Sequence, residues 1–147
     1  MDQIYTHPKR KTKVVFVQLG SPSEPTTKAL RKYLRKFLGD PRVVDINPWL
    51  WKIILNFFVL PFRPKKSAKL YARIWDGKSF PLITNTRDFT NNVREELKKI
   101  DPNGYVEVNH AFLLSPPYVN EVYDSWEDDL KKGIGATKLL VIPMFPQ

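Results

Sequence analysis

Cysteine is absent from this sequence of 147 residues. Without a thiol the chain cannot form a disulfide framework, a thiolate zinc site, a cysteine-held iron–sulfur cluster or a cysteine nucleophile. Histidine is almost as scarce, with only His7 and His110. His7 adjoins Pro8 in a basic leading segment and His110 lies inside an apolar run, so the sequence predicts no metal site and leaves His110 as a weak candidate for a catalytic base.

Acidic residues are scarce in the first half of the chain. Residues 1–75 contain 16 lysines and arginines against 4 aspartates and glutamates, whereas residues 76–147 contain 8 and 11, and the net charge is +9. A basic surface of this kind attracts anions such as nucleic acid, anionic lipid or a small carboxylate. The cluster from Lys9 to Lys13 has no interleaved aromatic residue on which bases could stack, so nucleic acid is not an expected partner.

The sequence also lacks a long hydrophobic run. Its most apolar window, Pro48–Phe62, spans about 15 residues and is interrupted by Lys52 and Asn56, whereas a membrane-spanning helix needs about 20. The leading residues have no apolar stretch typical of a signal peptide. The sequence therefore predicts a cytoplasmic protein, and the apolar window leaves open a peripheral contact with an anionic membrane.

Strand and helix patterns alternate along the chain. Apolar runs rich in β-branched residues predict three strands, at Lys13–Leu19, Tyr105–Phe112 and Lys138–Met144. Helical spacing predicts four helices, at Lys28–Leu38, at Ser67–Trp75, from Leu82 or Thr86 to Ile100, and at Val119–Lys132. We also expect a short extended piece at Val43–Ile46 and a break in the chain from Pro61 to Pro64.

This alternation is typical of an α/β fold, a three-layer sandwich in which helices cover both faces of a parallel sheet. We expect a single domain over residues 1–147, with a basic tail at 1–12. A three-stranded sheet that stops at residues 138–144 leaves a strand edge and apolar surface uncovered, so we expect dimerisation or a second chain to complete it. Ligands of such folds bind at the carboxyl ends of the strands.

The window at residues 48–62 is named here the apolar lip, because four large aromatic residues are expected to expose a broad apolar surface: Trp49, Trp51, Phe57 and Phe58. The segment FRPKKSAK then places Arg63 and three lysines directly behind it. An apolar surface backed by cations suits a flat apolar molecule with carboxylates, or an anionic membrane. A core helix followed by a loop is the alternative interpretation.

Five segments, in order along the chain, resemble the ferrochelatases, the enzymes that insert ferrous iron into protoporphyrin IX. They are VVFVQLGSP, FLGDPRVV, LPFRPKKSAKLYARIW, FPLIT and VIPMFPQ. The resemblance implies a type II chelatase fold, in which two similar α/β halves enclose a porphyrin cleft, and this chain is similar to the first half. The family's iron-handling histidine and its acidic partners lie in the second half, so no residue of this sequence takes those roles.

The resemblance also implies a set of porphyrin-binding positions. The turn after the first strand would face the macrocycle, Phe37 and the apolar lip would cover it, and Arg63 would pair with a propionate, since a guanidinium binds a carboxylate through two parallel hydrogen bonds. The full set is Leu19, Gly20, Ser21, Pro22, Phe37, Arg63, Pro81, Leu82, Leu113 and Leu114. Leu113 and Leu114 stand where the family usually has polar residues, which weakens a catalytic interpretation and leaves apolar ligand binding intact.

Three functions remain open. The first is a ferrochelatase-like protein of haem metabolism that binds protoporphyrin or haem as a homodimer. The second is an active ferrochelatase that inserts ferrous iron, either as this dimer or with a separate carboxyl-terminal half, and here His110 is the one residue available as a base. The third is a module that contacts a membrane or a partner through the apolar lip.

Overall fold

The computed structural model of the protein describes residues 11–144. The three strands are β1 (Thr12–Gln18), β2 (Val106–Phe112) and β3 (Lys138–Pro143). The helices are α1 (Thr27–Leu38), α2 (Pro48–Ile54), α3 (Leu60–Tyr71), α4 (Pro81–Ile100) and α5 (Val119–Lys131). A π-helical turn (Leu55–Val59) joins α2 to α3, and a short 3-10 turn (Ala72–Ile74) follows α3. Within the described residues, no helix is both long enough and apolar enough to span a bilayer.

The contacts divide the chain into two compact units. We name the first, residues 11–18 and 86–144, the sheet unit, and the second, residues 19–85, the helical unit. The boundaries follow β1 and fall inside α4. The single domain expected over the whole chain stays a prediction, and its basic tail at 1–12 lies largely outside the described residues.

The sheet unit confirms the α/β class. Its strands are all parallel in the order β2-β1-β3, so β1 is central. Val15 and Val17 of β1 pack with Ala111 against α5, whereas Phe16, which points to the other face, meets Phe89 of α4 edge-on at 5.0 Å. Because successive side chains of a strand point to opposite faces, α4 and α5 cover opposite faces of the sheet. The three strand predictions are confirmed to within one residue at each end.

The helical unit packs α1 against α3. Leu30, Tyr33, Leu34 and Leu38 recur on one face of α1 and are buried, while Leu60, Pro64 and Ala68 form the buried face of α3. The side chain of Thr26 caps α1 by accepting a hydrogen bond from the Ala29 backbone N–H at 3.2 Å. The helix predicted at residues 28–38 is therefore confirmed.

The expected break from Pro61 to Pro64 is wrong, because the chain is helical from residue 48 to residue 71. Pro61 lies at the junction of the π-helical turn and α3, where the backbone bonding changes from i→i−5 to i→i−4. Pro64 lies inside α3 and cannot bond the Leu60 carbonyl four residues earlier. Arg31 of α1 donates its Nε–H to that carbonyl at 3.2 Å, so a contact between helices replaces the missing backbone bond.

The extended piece expected at residues 43–46 is also not a strand. The segment after α1 turns at Asp40, whose carboxylate accepts hydrogen bonds from the backbone N–H and the guanidinium of Arg42. The Val43 N–H then closes the turn on the Asp40 carbonyl at 3.0 Å. An aspartate that accepts the N–H two residues ahead favours a turn over a strand, whatever the apolar residues that follow.

Candidate functional site

Five aromatic side chains form a connected cluster in the helical unit. Tyr33 and Phe37 of α1 are stacked at 6.3 Å, and Tyr33 meets Tyr71 of α3 at 6.5 Å. Tyr71 and Trp75 then contact Phe80 edge-on at 5.4 and 4.6 Å, and Phe80 is 2% exposed. The cluster joins α1, the end of α3 and the residue before α4, so these three segments are packed together through aromatic rings. No local sequence pattern indicates this cluster, since its members meet only through tertiary packing.

The turn after β1 is tied to this cluster. Gly20 has a positive φ of 94°, which favours glycine, and its carbonyl accepts a hydrogen bond from the Tyr33 hydroxyl at 3.2 Å. Burial raises the pKa of Tyr33 above its ordinary value, and the neighbouring Tyr71 adds to the effect. Tyr33 is therefore a neutral donor that holds the turn. Gly20, Ser21 and Pro22 are buried and Leu19 is half-buried.

The apolar lip is helical and mostly exposed. Trp49, Phe57 and Phe58 are 77%, 70% and 66% exposed. Asn47 starts α2 because its side-chain oxygen accepts hydrogen bonds from the backbone N–H groups of Trp49 and Leu50. Trp51 differs from the other three aromatic residues, because it is half-buried and donates its indole N–H to the Leu38 carbonyl at 2.7 Å. Trp51 thus attaches the lip to α1, and the other three rings face outward.

Arg63 lies on α3 next to Phe62, and both side chains are exposed. Among the described residues no hydrogen bond or ion pair engages the Arg63 side chain, so its guanidinium is available to an external anion. Pro81 is exposed at the first position of α4, and Leu82 follows half-buried. Thus Phe37 belongs to the aromatic cluster, and the turn formed by Leu19, Gly20, Ser21 and Pro22 is attached to the cluster through the bond from Tyr33 to Gly20. Arg63 and the exposed rings of the lip lie on the surface of the same unit.

The carboxyl edge of the sheet carries the remaining predicted positions. The Leu113 N–H donates to the Gln18 carbonyl at 3.1 Å, and the Gln18 side chain donates to the Met144 carbonyl at 3.1 Å. These bonds join the ends of all three strands. Leu113 is 44% exposed there and Leu114 is half-buried. The structure therefore offers apolar side chains, not polar groups, at the end of β2.

His110 lies in β2 opposite Phe16, on the face of the sheet that α4 covers. Its ring contacts Phe112 edge-on at 5.6 Å, and its buried Nδ1 has no hydrogen-bond partner in the described part of the chain. Burial lowers the pKa of His110, and the charges of Arg94 and Arg87 lower it further. His110 is therefore a half-buried, neutral imidazole of lowered basicity on the face of the sheet that α4 covers.

Two open cavities of about 380 Å³ each lie along the outer edge of β2. One contains Lys13, which is 3.5 Å from the Glu107 carboxylate, together with Asn109, Glu121 and Ser125. The charges of Lys13 and Arg94 in this cavity compensate those of Glu107 and Glu121. No group of three or more histidines or acids that could hold a metal ion occurs within residues 11–144. His110, the weak candidate for a catalytic base, also lines this first cavity, whereas the second cavity contains no predicted site residue.

Comparisons with known proteins place these features in a family. The family model Ferrochelatase matches residues 11–147. The chain is 40% identical over 134 residues to the ferrochelatase of Idiomarina loihiensis, covering 91% of this chain and 35% of that protein. It is 40% identical to the ferrochelatase of Teredinibacter turnerae, covering 99% of this chain and 38% of that protein, and 36% identical to that of Francisella tularensis subsp. tularensis, covering 99% and 41%.

The chain belongs to the ferrochelatase family, since the family model covers almost its whole length. It spans 35–41% of the length of these curated relatives. The resemblance to the N-terminal half of a ferrochelatase is thereby confirmed.

Proposed function

We propose that this chain binds a dicarboxylate porphyrin, protoporphyrin IX or haem, in haem metabolism. The observation that carries the proposal is that Arg63, a cation with no partner in the described residues, lies on the helix that continues the exposed apolar lip. A porphyrin combines a broad apolar plane with propionates at one edge. Membership of the ferrochelatase family supports this choice over other flat carboxylates.

The chemistry assigned to each group follows from its surroundings. The guanidinium of Arg63 forms two parallel hydrogen bonds with a propionate, which fixes the orientation of the macrocycle. The exposed rings of Trp49, Phe57 and Phe58 bury the apolar plane and release water from it. The turn at residues 19–22, held by Tyr33, supplies a rigid surface, and Pro81 and Leu82 of the same unit add apolar contacts.

Homodimerisation is part of the proposal and is supported by the unequal edges of the sheet. At β2 the Val106 N–H donates to the Asp101 carboxylate, the Val108 carbonyl accepts from Arg94 and the Phe112 N–H donates to the Pro117 carbonyl, so its own chain caps this edge. At the end of β3 the Met144 N–H donates to the Val17 carbonyl of β1. Because the backbone groups of successive strand residues point to opposite sides, those of Leu139 and Val141 point away from β1. Nothing among the described residues caps them, and such an edge pairs readily with another strand.

Iron insertion is the second candidate function, and the family match favours it. Removal of two pyrrole protons needs a base within reach of the macrocycle. His110 is the candidate for this base, but it lies on the face of the sheet that α4 covers and its pKa is lowered. We therefore expect binding without rapid insertion of ferrous iron when the protein is assayed alone.

Absorption spectroscopy tests the proposal. The purified protein is titrated with haem and with protoporphyrin IX, and a saturable change of the visible spectrum is expected for at least one of them. The absence of any saturable change would overturn porphyrin binding. Sedimentation at micromolar concentration measures the oligomeric state. A homogeneous monomer in the presence of porphyrin would contradict the dimer. Rapid anaerobic iron insertion that His110→Ala abolishes would instead support the enzyme.

A further inference from the structure

One of the two cavities beside β2 lies within the sheet unit and is lined by residues of β1, β2, α4 and α5. Its volume is about 380 Å³, near the lower end of the range of about 300–1,000 Å³ that is typical of small-molecule sites. We name it the edge cavity. Six of its charged and polar side chains are Lys13, Arg94, Glu107, Asn109, Glu121 and Ser125. None of these six belongs to the proposed porphyrin site.

Lys13 is the unusual member of this group. Lysine is almost never buried unless its charge is paired, and the side chain of Lys13 is only 11% exposed. Its ammonium lies 3.5 Å from the Glu107 carboxylate, which is longer than the roughly 2.7–2.9 Å of a charge-assisted hydrogen bond. None of the N–H groups of this ammonium donates a hydrogen bond to a described residue. A sheltered ammonium with unused donors is therefore available to an anionic group in the cavity.

Arg94 supplies a second cation in a fixed orientation. Its guanidinium donates Nε–H to the Val108 carbonyl at 2.7 Å, and its two terminal nitrogens donate to the side-chain oxygens of Asn91 at 2.9 Å and Asn109 at 3.0 Å. A guanidinium has five N–H donors, so one N–H remains on each terminal nitrogen. Because these bonds already hold the group in place, an anion that meets it causes little further loss of side-chain entropy.

Two carboxylates provide the opposite charge. Glu121 of α5 accepts the Tyr118 N–H at 2.9 Å through Oε2, which leaves Oε1 available. Glu107, the partner of the buried lysine, is 55% exposed. His110 also lines the cavity and adds no charge, because burial and then the charge of Arg94 lower its pKa. The edge cavity therefore combines two cations with two anions, and their charges sum to zero.

We propose that the edge cavity binds a small amino acid, a zwitterion whose two charged ends both find partners there. The carboxylate of the ligand meets Lys13 and Arg94, and its ammonium meets Glu121. Ser125, one turn along the same face of α5, adds a hydroxyl, and Val122 contacts the aliphatic part of the ligand. A zwitterion fits better than a simple anion or cation, because a ligand with one charge would bring an uncompensated charge into a partly buried site.

The test is two-dimensional NMR of the full chain, labelled with ¹⁵N and free of porphyrin. The protein is titrated with L-alanine, β-alanine and γ-aminobutyrate, three zwitterions that differ in the separation of their charges. Propionate and propylamine serve as probes that carry only one of the two charges. We expect saturable shifts of backbone amides at residues 107–110 and 121–125 with at least one zwitterion, and much weaker binding of either single-charge probe.

Two variants remove one charge each from the cavity. Lys13→Met keeps the length of the side chain without its ammonium, and Glu121→Gln keeps an oxygen that can accept the Tyr118 N–H. Each should weaken binding about tenfold or more, the range for losing a hydrogen bond to a charged group. The matched controls are Lys131→Met and Glu127→Gln, which remove the same charges from α5 outside the cavity and should leave binding unchanged.

The NMR spectrum of each variant shows whether the fold is intact, and the exposed Glu121 gives a test that does not depend on how well the sheet tolerates a change at Lys13. Three outcomes would overturn the proposal: no saturable shift of the wild type with any of the zwitterions, propionate or propylamine bound as tightly as the best zwitterion, or equal losses in the cavity variants and the α5 controls.

Discussion

The helical unit and the sheet unit differ most in how they use charge. The helical unit has 13 lysines and arginines against 4 acids, whereas the described part of the sheet unit has 9 against 10. Five of the six ion pairs of the described residues lie in the sheet unit, including Lys98 with Glu95 and Lys131 with Glu127. The single pair of the helical unit joins Asp40 to Arg42.

This difference in ion pairing distinguishes charged side chains that have partners within the fold from charged side chains that are available to a ligand. In the sheet unit, most polar groups at the surface have partners, such as the capped edge of β2 and the ion pairs along α4. In the helical unit, cations and large rings are exposed side by side without partners in the described residues. Because exposed surface pairs contribute little to stability, this contrast bears on binding more than on folding.

The largest expected effect is a loss of unfolding free energy, and the two variants that cause it show whether the two units unfold together. Phe80→Ala should lower the free energy of unfolding by about 3–5 kcal/mol, since Phe80 is buried against Tyr71 and Trp75 and its removal leaves a cavity. The matched variant is Phe112→Ala, which removes a fully buried ring from the sheet unit. Urea unfolding measures the loss in each variant.

Hydrogen exchange then shows where each loss is felt. If the units are independent, Phe80→Ala should increase exchange in α1 and α3 while β1 and β2 stay protected, and Phe112→Ala should do the reverse. Increased exchange throughout the chain in both variants would show that one cooperative unit unfolds, in agreement with the single domain expected from the sequence.

The next effect concerns the unpaired cation. Arg63→Ala should weaken the binding of protoporphyrin IX by about 1–3 kcal/mol, the range for losing a hydrogen bond to a charged group. Unfolding stability should change little, because Arg63 is exposed and has no partner in the described residues. Absorption titrations of both proteins provide the comparison.

Two controls make the Arg63 measurement specific. Protoporphyrin dimethyl ester lacks the carboxylates, so wild type and Arg63→Ala should bind it equally. Lys98→Ala removes an exposed cation of the sheet unit and should leave the binding of both porphyrins unchanged. Equal losses for the acid and the ester would contradict a role of Arg63 in propionate binding.

A smaller effect is expected from the cap of α2. Asn47→Ala removes the oxygen that accepts the Trp49 and Leu50 N–H groups, and should lower the free energy of unfolding by about 1 kcal/mol. Asn92→Ala, at an exposed position inside α4, is the matched control and should have little effect or stabilise the helix. Thermal unfolding compares the two, and an equal loss in both would contradict the capping role.

The sequence predicted the sheet well because its signals are local. Runs such as VVFV are apolar and rich in β-branched residues, so they predict β1, β2 and β3 without knowledge of their partners. The helices α1, α4 and α5 carry regular apolar spacing and were found for the same reason. Two of the five segments that resemble the family, VVFVQLGSP and VIPMFPQ, overlap β1 and β3.

The errors in the helical unit have a tertiary origin. Pro64 indicates a break, and the helix continues because Arg31, 33 residues earlier in the chain, bonds the carbonyl that the proline leaves unpaired. Trp51 was grouped with the exposed lip, but its bond to Leu38 makes it structural. The link from Tyr33 to Gly20 likewise depends on packing that no local pattern contains. The binding roles of the predicted site residues stay predictions.

The smallest effect belongs to His110 in the sheet unit and concerns pH. Burial and the charges of Arg94 and Arg87 lower its pKa in the folded protein, whereas in the unfolded chain the pKa has its ordinary value near 6.5. Between these two pKa values the unfolded chain binds the proton more readily, so the contribution of the neutral imidazole to stability is complete above pH 6.5 and is lost as the pH falls through this window. His110→Gln, which cannot be protonated, should therefore lose less stability than the wild type between about pH 7.5 and 5.5, a range above the titration of ordinary carboxylates. Urea unfolding at several pH values measures the difference. If the wild type and His110→Gln had identical pH profiles, the surroundings of His110 would not lower its pKa, and the argument that it is a weakened base would lose its support.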